Sequence, residues 1–552
     1  MRDRMRAWMK SGTPWVWITA GMVSVSLTAI LGVLLLIGAR GLGYFWPTPI
    51  TQFTLNTPEG QETVIGQIYQ TDRVDATQLQ DAGITLPEDA NPDYARLVVK
   101  IGNREREGVD FRQLLTFNIR SQFTPASLAM IERVENGVFY GWPVALVDEN
   151  GTRHRLDEAD LEARLDALSA RRDVIDDIER VHLASVNYQL EQLRLEEKRW
   201  ALAHAANREP PAHIAEQRAQ LLDQYSQLEK KLESLRHHQD DAMLVVKDSH
   251  HEEVLLPLRN VLAVWYPNAM SGVEKLLFWG HQIGAFVSEP PRDGNASGGV
   301  FPAIFGTVFL VLLMAVIVTP LGVIAAVYLH EYAPKTAFTR MIRIAVVNLA
   351  GVPSIVYGVF GLGFFVYFIG GSIDELFYQA AQPAPVFGTP GVLWSALTLA
   401  ILTLPVVIVS TEEGLARIPT SVRHGAFALG ATQAETLWRV VLPMASPAMM
   451  TGLILAVARA AGEVAPLMLV GVVKVAPALP VDGNFPFLHL ERKFMHLGYH
   501  IYDLGFQSTH IESARPLVYA TSFLLVSVIV ALNLAAIGIR HYLREKYRDL
   551  EQ

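Results

Sequence analysis

Six apolar stretches interrupt an otherwise polar chain: Trp15–Ile37, Val300–Leu329, Ile344–Ile369, Val392–Ser410, Ala448–Val472 and Leu517–Ile539. Each is close to the ~20 residues that carry a helix across a ~30 Å hydrocarbon layer. The pattern therefore predicts a mostly α, polytopic membrane protein with six spans. Five stretches lack Asp, Glu, Lys and Arg; the fifth holds Arg459 and Glu463. The first stretch follows Arg2, Arg4, Arg6 and Lys10, as a secretory signal would. Its apolar run is longer than a signal h-region, and no small-x-small site follows before Tyr44-Phe45-Trp46, so it reads as an uncleaved helix with an aromatic belt.

Residues 45–298 have another texture. Thr63–Tyr69, Ala95–Ile101 and Val254–Tyr266 are rich in Val, Ile, Leu and aromatics with partial alternation, which predicts strands. From about Asp157 to Asp241 the chain is charged and helical in character. Ile214, Leu221, Tyr225, Leu228, Leu232 and Leu235 keep a three/four spacing, with Arg218 at one seam position. Asn207 and Pro210-Pro211 break this run, so an antiparallel, coiled-coil-like hairpin projecting from a β-rich base is expected. Ser288–Gly299, with Pro290, Pro291, Gly294, Gly298 and Gly299, reads as the linker back to the membrane. Three regions follow: 1–44 with the first span, an α+β insertion over 45–298, and a five-span core over 299–552.

The 552 residues are 51% hydrophobic and 18% charged, with mean hydropathy +0.24. That is too apolar for an ordinary soluble enzyme and too charged for a chain lying wholly in lipid. The net charge of −9 conceals a division. Residues 51–290 hold 25 Lys and Arg against 39 Asp and Glu, and the remainder holds 21 against 16. The acidic balance disfavours nucleic acid as a partner. Zero cysteines exclude disulfides, thiolate metal sites and a cysteine nucleophile.

Short basic flanks fix the expected orientation. The N-terminus, the loop with Lys335, Arg340 and Arg343, the loop with Arg417, Arg423 and Arg439, and the tail with Arg540, Arg544, Lys546 and Arg548 fall on one side of six spans. By the positive-inside rule that side is the cytoplasm. Both termini are then expected to be cytoplasmic, and 45–298 to lie outside.

The chain has no GxxxxGK[ST], no GxSxG and no HExxH, so neither an ATPase site nor a hydrolytic one is legible. His237-His238 and His250-His251-Glu252 lack the spacing of a known metal site and read as solvated side chains. No cofactor and no metal are expected in this chain. Any energy-requiring step must then draw on a partner.

The strongest motif is the segment Thr411–Ser446. It holds His424-Gly425-Ala426-Phe427-Ala428-Leu429-Gly430-Ala431-Thr432, then Val440-Val441-Leu442-Pro443. A short helix–turn–helix on the membrane face fits this composition. The segment resembles the EAA loop of ABC importer permeases, whose pattern is met at Ala426, Gly430, Leu442 and Pro443. His424 and Gly425 depart from the Glu and first Ala of that pattern, and Val440 replaces Ile. Three further segments resemble PstA-type phosphate permeases: Gly298–Thr307, Asn348–Gly358 and Ala458–Pro466, joined by Leu532–Ile537 in the tail. The resemblance covers about Gly298–Arg548 and says little of the insertion.

What the resemblance implies is a type I ABC importer permease that imports phosphate. A PstS-type periplasmic binding protein delivers the anion. A PstC-type second permease completes the path, and PstB-type ATPases bind ATP-Mg and dock on His424, Gly425, Ala426, Gly430, Ala431, Thr432, Leu442 and Pro443. Composition leaves open another oxyanion, such as phosphonate, molybdate or sulfate. It also leaves open a membrane sensor or scaffold whose hairpin binds a partner.

The residues support a transport path on their own terms. Arg459 and Glu463 are four apart and so share a helix face. A lone charge at mid-bilayer costs ~2.5–3.5 kcal/mol and marks a cavity or interior partner. The planar donors of Arg suit oxyanions, so Arg459 is expected to attract the anion and Glu463 to hold Arg459 and moderate its grip. Gly351, Pro353 and Ser354 place a helix weak point inside the third stretch, where Pro removes a hydrogen bond. Such discontinuities line substrate paths, although small residues there also permit a packing kink.

Overall fold

The computed structural model describes residues 11–57, 60–81, 86, 92–204, 211–237, 241–292, 297–507 and 511–547. The basic residues Arg2, Arg4, Arg6 and Lys10, the break residues Asn207 and Pro210, and His238, Gly294 and Arg548 lie outside the described residues.

Among the described residues six helices are long and apolar enough to cross a membrane: Trp15–Gly43, Phe301–Tyr332, Ser354–Phe377, Val392–Arg417, Gln433–Gly462 and Ala514–Tyr542. The protein is a multi-pass membrane protein of mostly helical fold. Two spans differ from the apolar pattern. The third begins at Ser354, not Ile344, because the chain stops being helical at Ala350–Pro353. The fifth runs from Gln433 to Gly462, not from Ala448 to Val472, and a separate short helix, Ala465–Val470, follows it. Apolar runs report burial in lipid or protein, whereas helix ends are set by caps and prolines, and here the two disagree.

The fourth span is the centre of the bundle. The second and fifth spans close on it through small residues. A methyl at Gly322 would sit 2.6 Å from Val407 Cγ1, one at Gly452 2.7 Å from Ser410 Cβ, and one at Gly414 2.5 Å from Ala448 Cβ. Without water to drive apolar association in a bilayer, such close backbone approach supplies the packing energy. The first span stands apart: from Trp15 to Leu36 its side chains are exposed. It meets the sixth span at Gly38 and Gly41, where a methyl would lie 3.2 Å from the Phe523 ring and 2.8 Å from the Tyr519 carbonyl.

Among the described residues the insertion holds two larger antiparallel sheets and a short two-stranded ribbon, Pro291–Arg292 with Ser297–Gly298. In chain order the strands are β1 (Ile50–Thr57), β2 (Gly60–Asp75), β3 (Asp93–Lys100), β4 (Phe111–Leu115), β5 (Ile119–Phe123), β6 (Ala129–Arg133), β7 (Phe139–Val147), β8 (Arg153–Arg155), β9 (Met243–Lys247), β10 (Glu253–Pro257) and β11 (Val261–Trp265). One sheet has the order β4-β3-β2-β1-β5, and the other β10-β9-β7-β6-β11 with β8 on β7. The expected strand Val254–Tyr266 divides at Leu258–Asn260 and contributes to both edges of the second sheet. Asn103 fastens one sheet to the other: its amide donates to Tyr140 O at 2.9 Å and accepts from Tyr140 N at 2.8 Å. A helix, Gly272–Ser288, leads back to the bundle, and Trp279 Nε1 donates to Leu42 O at 2.8 Å, at the end of the first span.

The helical hairpin forms as the spacing indicates. One arm comprises Glu158–Asp177 and, after a wider turn, Ala184–Ala203; the other is Ala212–His237. Leu221 and Leu232 are buried against Ile175, Ile178, Val186 and Leu193 of the first arm, and Ile214 is buried as well. Arg218 stays exposed and pairs with Glu197 at 3.4 Å. The hairpin does not simply project from its base. Its Ala184–Ala203 segment lies along the loops that follow the third and fifth spans. Leu195 packs on Ala380 and Ala381, Ser185 Oγ donates to Asn484 Oδ1 at 2.7 Å, and Tyr188 Oη donates to Phe485 O at 3.0 Å.

Candidate functional site

The third span owes its start to Pro353. The preceding helix, Ala337–Leu349, is capped by Thr336 and shows an exposed apolar stripe of Phe338, Met341, Ile344 and Val347. Arg343 on its polar side donates to Leu329 O at 2.7 Å and faces Glu412 at 3.4 Å. Pro353 then takes the N-cap position of the next helix with φ −55° and ψ 135°. With no N–H and no tolerance for a helical residue before it, proline ends one helix and opens another. Leu349 O, which an N–H at position 353 would engage in an unbroken helix, accepts instead from Val352 N at 3.2 Å and from Tyr357 Oη at 2.6 Å.

A second break faces this one. The fifth span ends at Gly462, and Glu463 is extended, with φ −78° and ψ 134°. Pro466 sits in the first turn of the short helix Ala465–Val470. That helix packs on Ser354–Phe360 so closely that a methyl at Gly358 would lie 2.7 Å from Pro466 Cα. Pro353 and Ser354 precede that contact by four to five residues, Glu463 precedes it by three, and Tyr357 is within electrostatic reach of Arg459.

Arg459 and Glu463 do pair, but not as two positions on one helix face in mid-span. Arg459 occupies the last turn, and Glu463 is the residue that caps it. Arg459 Nε and Glu463 Oε1 are 3.7 Å apart, with side chains 31% and 20% exposed. At that separation the pair is an ion pair rather than a hydrogen bond, and the guanidinium keeps donors for another oxygen ligand. A cation in the last turn also suits the negative end of the helix dipole.

The segment Thr411–Ser446 folds as a helix–turn–helix. Thr420–Ala428 is helical, Leu429 ends it at 91% exposure, and Gly430 has φ +88°. That left-handed conformation closes the turn, with Ala431 N donating to Ala426 O at 3.1 Å. Thr432 and Glu435 form a reciprocal capping box that starts the helix into the fifth span. His424 and Gly425 lie exposed on the first helix, whereas Leu442 packs toward Val327, Leu415 and Ile418, and Pro443 sits in the first turn of Leu442–Gly462. Ala426, Leu429, Gly430, Ala431, Glu435, Thr436, Arg439 and Val440 line a hollow of about 370 Å³. Exposed Leu429, Phe427 and Trp438 beside it form an apolar surface of the kind that partners cover.

The sequence reading passed over three residues that hold this region together. Arg423, counted there as an orientation charge, donates to Ile418 O at 2.8 Å and Leu415 O at 3.1 Å, capping the fourth span, and pairs with Glu331 at 2.8 Å. Tyr357 carried no signal of its own; for Glu331 the available sign was a charge two residues beyond the second apolar stretch. Of the suspected metal ligands, His250 faces Glu107 at 3.6 Å and His251 stacks on Trp142.

Comparison with known proteins bears on the same region. A model of the family described as binding-protein-dependent transport system inner membrane component matches residues 318–549. The phosphate transport system permease protein PstA of Mycobacterium leprae is 34% identical over 237 residues, 43% of this chain and 70% of that protein. PstA 1 of Mycobacterium tuberculosis is 32% identical over 287 residues, 52% of this chain and 83% of that protein. The probable ABC transporter permease protein YqgH of Bacillus subtilis is 34% identical over 193 residues, 35% of this chain, and the chain spans 59% of its length.

Proposed function

This chain belongs to the family of binding-protein-dependent transport system inner membrane components, the permease subunits of ABC importers, and from that premise we propose that its substrate is phosphate. Arg459 carries this reading. It stands where two broken helices meet, paired loosely enough with Glu463 to keep donors for an oxyanion. The helix beginning at Ser354 adds the positive end of its dipole to the same place. The relatives named for phosphate transport support that anion over others.

The remaining parts follow from this reading. A PstC-type permease chain completes the path, and a PstS-type binding protein delivers phosphate to the periplasmic side. PstB-type ATPases bind ATP-Mg and seat the loop from His424 to Pro443. Leu429, Gly430 and the hollow beside them are the surface offered to the ATPase, and closure of the ATPases rocks the helices through that loop. The basic flanks put this loop and both termini in the cytoplasm, and the β-rich insertion in the periplasm of a bacterial inner membrane. The insertion's acidity repels free phosphate, so its role is to hold proteins, not the anion.

Uptake of labelled phosphate tests the proposal. Arg459→Ala is expected to abolish uptake while the complex still assembles; near-normal uptake sinks the assignment. Competition by phosphonate, molybdate and sulfate tests the anion. If one of these displaces phosphate at lower concentration than phosphate itself, the permease serves that oxyanion.

A further inference from the structure

The insertion touches the bundle in two places of different chemistry. Its foot is apolar. Phe45 and Phe286, with ring centroids 5.1 Å apart, are buried in one cluster with Val300, Ala303, Leu517 and Ala520, where the first, second and sixth spans begin or end. The other contact, made by the hairpin segment Ala184–Ala203, is small and mostly polar. Ser185 Oγ donates to Asn484 Oδ1, Tyr188 Oη donates to Phe485 O and Lys198 Nζ donates to Gln382 O, while Leu195 packs on Ala380 and Ala381. Hydrogen bonds of this kind exchange for water at little net cost, whereas the buried rings of the foot do not.

What the hairpin rests on is built as one piece. The loop after the third span closes on the buried Asp374 carboxylate, which accepts from Val386 N at 2.9 Å, Phe387 N at 2.9 Å and Gly388 N at 2.7 Å. The loop bearing Phe485 and Phe487 closes on Asp482, which accepts from Asn484 N at 2.9 Å, His489 Nε2 at 2.9 Å and Arg492 Nη1 at 2.7 Å. Backbone bonds join the second loop to the start of the fourth span: Val392 N donates to Arg492 O at 2.9 Å and Leu393 N to Leu490 O at 3.0 Å. Gly391 N donates to Val470 O at 2.9 Å, at the end of the short helix that packs against Gly358. This platform is therefore continuous with both broken helices.

The segment Ala184–Ala203 has two faces. Val186 and Leu193, seven apart, bury themselves with Leu221 of the second arm. Ser185, Tyr188, Leu195 and Lys198, at spacings of three and seven, fall on the other side and meet the platform. Leaving the platform thus costs the hairpin none of its own seam. A wider turn over Ile178–Leu183 stands immediately before the segment, and such turns are where helices bend. We propose that Ala184–Ala203 is a latch. Seated, it ties the platform of the third and fourth spans and the helix Ala465–Val470 to the foot on the first, second and sixth; the breaks at Pro353 and Glu463 part only when it lifts. This rests on the transport reading above. A contact that small and polar is the kind that opens in the native state, as inter-domain contacts and low-stability segments do.

The test uses the full importer in vesicles, with partner subunits free of cysteine. This chain has no cysteine of its own, so Ser185→Cys/Asn484→Cys places its only two thiols across the seat, where a short reducible cross-linker joins them. Cross-linking is expected to lower labelled phosphate uptake and ATP hydrolysis about tenfold, with both restored by reduction in the same vesicles. Unchanged uptake at complete cross-linking would make the segment a permanent brace and overturn the latch. Leu195→Asp/Lys198→Ala weakens the seat and is expected to raise ATP hydrolysis in the absence of any binding protein by about fivefold; a basal rate that stays level or falls while the complex assembles also overturns it. Basal hydrolysis needs no anion, so the two readings fail separately. If parent vesicles import sulfate and not phosphate, the phosphate reading ends, while hydrolysis that follows the redox state of the cross-link still reports the latch.

Discussion

Arg423 Nη2 donates to Glu331 Oε1 at 2.8 Å, tying the helix–turn–helix segment to the end of the second span. Both side chains are less than a fifth exposed, and Arg423 also caps Leu415 and Ile418. Removing one member of a mostly buried pair leaves the other charge without compensation. Arg423→Ala is therefore expected to cost about 2–3 kcal/mol, read as a lowered thermal midpoint of the purified protein. Arg423→Lys should recover only part of this, since an ammonium lacks the fork that reaches three oxygens. Equal midpoints for Lys and Arg would show that charge alone suffices.

Tyr357 and Leu349 make the corresponding bond across the break at Gly351 and Pro353. Tyr357→Phe keeps the buried ring and removes the only atom the bond uses. A loss of about 1 kcal/mol is expected, with phosphate uptake reduced and assembly intact. If uptake stays at the parent level, the break does not need this brace.

Gly430 offers a test of geometry without crowding. A methyl there would meet nothing within 4 Å, yet φ is +88°. Gly430→Val is expected to cost about 1–2 kcal/mol through backbone strain alone, and to uncouple ATP hydrolysis from uptake. Gly430→Asn, which tolerates the left-handed region, should stay nearer the parent. The check is the ratio of phosphate imported to ATP hydrolysed in vesicles.

Glu463 moderates Arg459 in the proposed path. Glu463→Gln should strengthen the hold of Arg459 on the anion and slow its release, lowering KM and kcat for uptake together. A raised KM at constant kcat would contradict that role.

Acid should weaken the fold in a defined window. His496 and His500, between the fifth and sixth spans, are buried, and desolvation lowers both to about 4. In the unfolded chain each would titrate near 6.5, so between pH 6.5 and 4 the unfolded state takes up protons that the folded state refuses. Stability is thus full above pH 6.5 and falls through that window, by on the order of 2 kcal/mol per histidine at pH 5. Comparison of thermal midpoints at pH 7.5 and 5 checks this, and His496→Gln/His500→Gln should flatten the difference.

The hairpin's place on the bundle shows where the sequence stops. The spacing of Ile214, Leu221, Tyr225, Leu228 and Leu232 foretells a helix that buries one stripe, because a 3.6-residue period is a local property. Nothing in that spacing says that Ser185 and Tyr188 bond a loop 297 to 299 residues further on. The ends of the third and fifth spans teach the same lesson. The apolar stretches Ile344–Ile369 and Ala448–Val472 continue past the helix ends inside them, because hydrophobicity does not fix where a helix stops.

By itself the sequence determined the six spans, the β-rich insertion and the helix–turn–helix with Gly430 at its turn, and it singled out Arg459 and Glu463 as charges within an apolar stretch. Each rests on residue type and spacing within some twenty positions. Only the tertiary structure decided that Pro353 and Glu463 mark two breaks that meet, that Tyr357 bridges one of them, that Arg423 is held by Glu331, and that the hairpin lies on the loop bearing Phe485 and Phe487. These are contacts between residues distant in the chain. They depend on which small side chains let helices close on one another and on which carbonyls the breaks leave in need of a donor, and a linear pattern encodes neither.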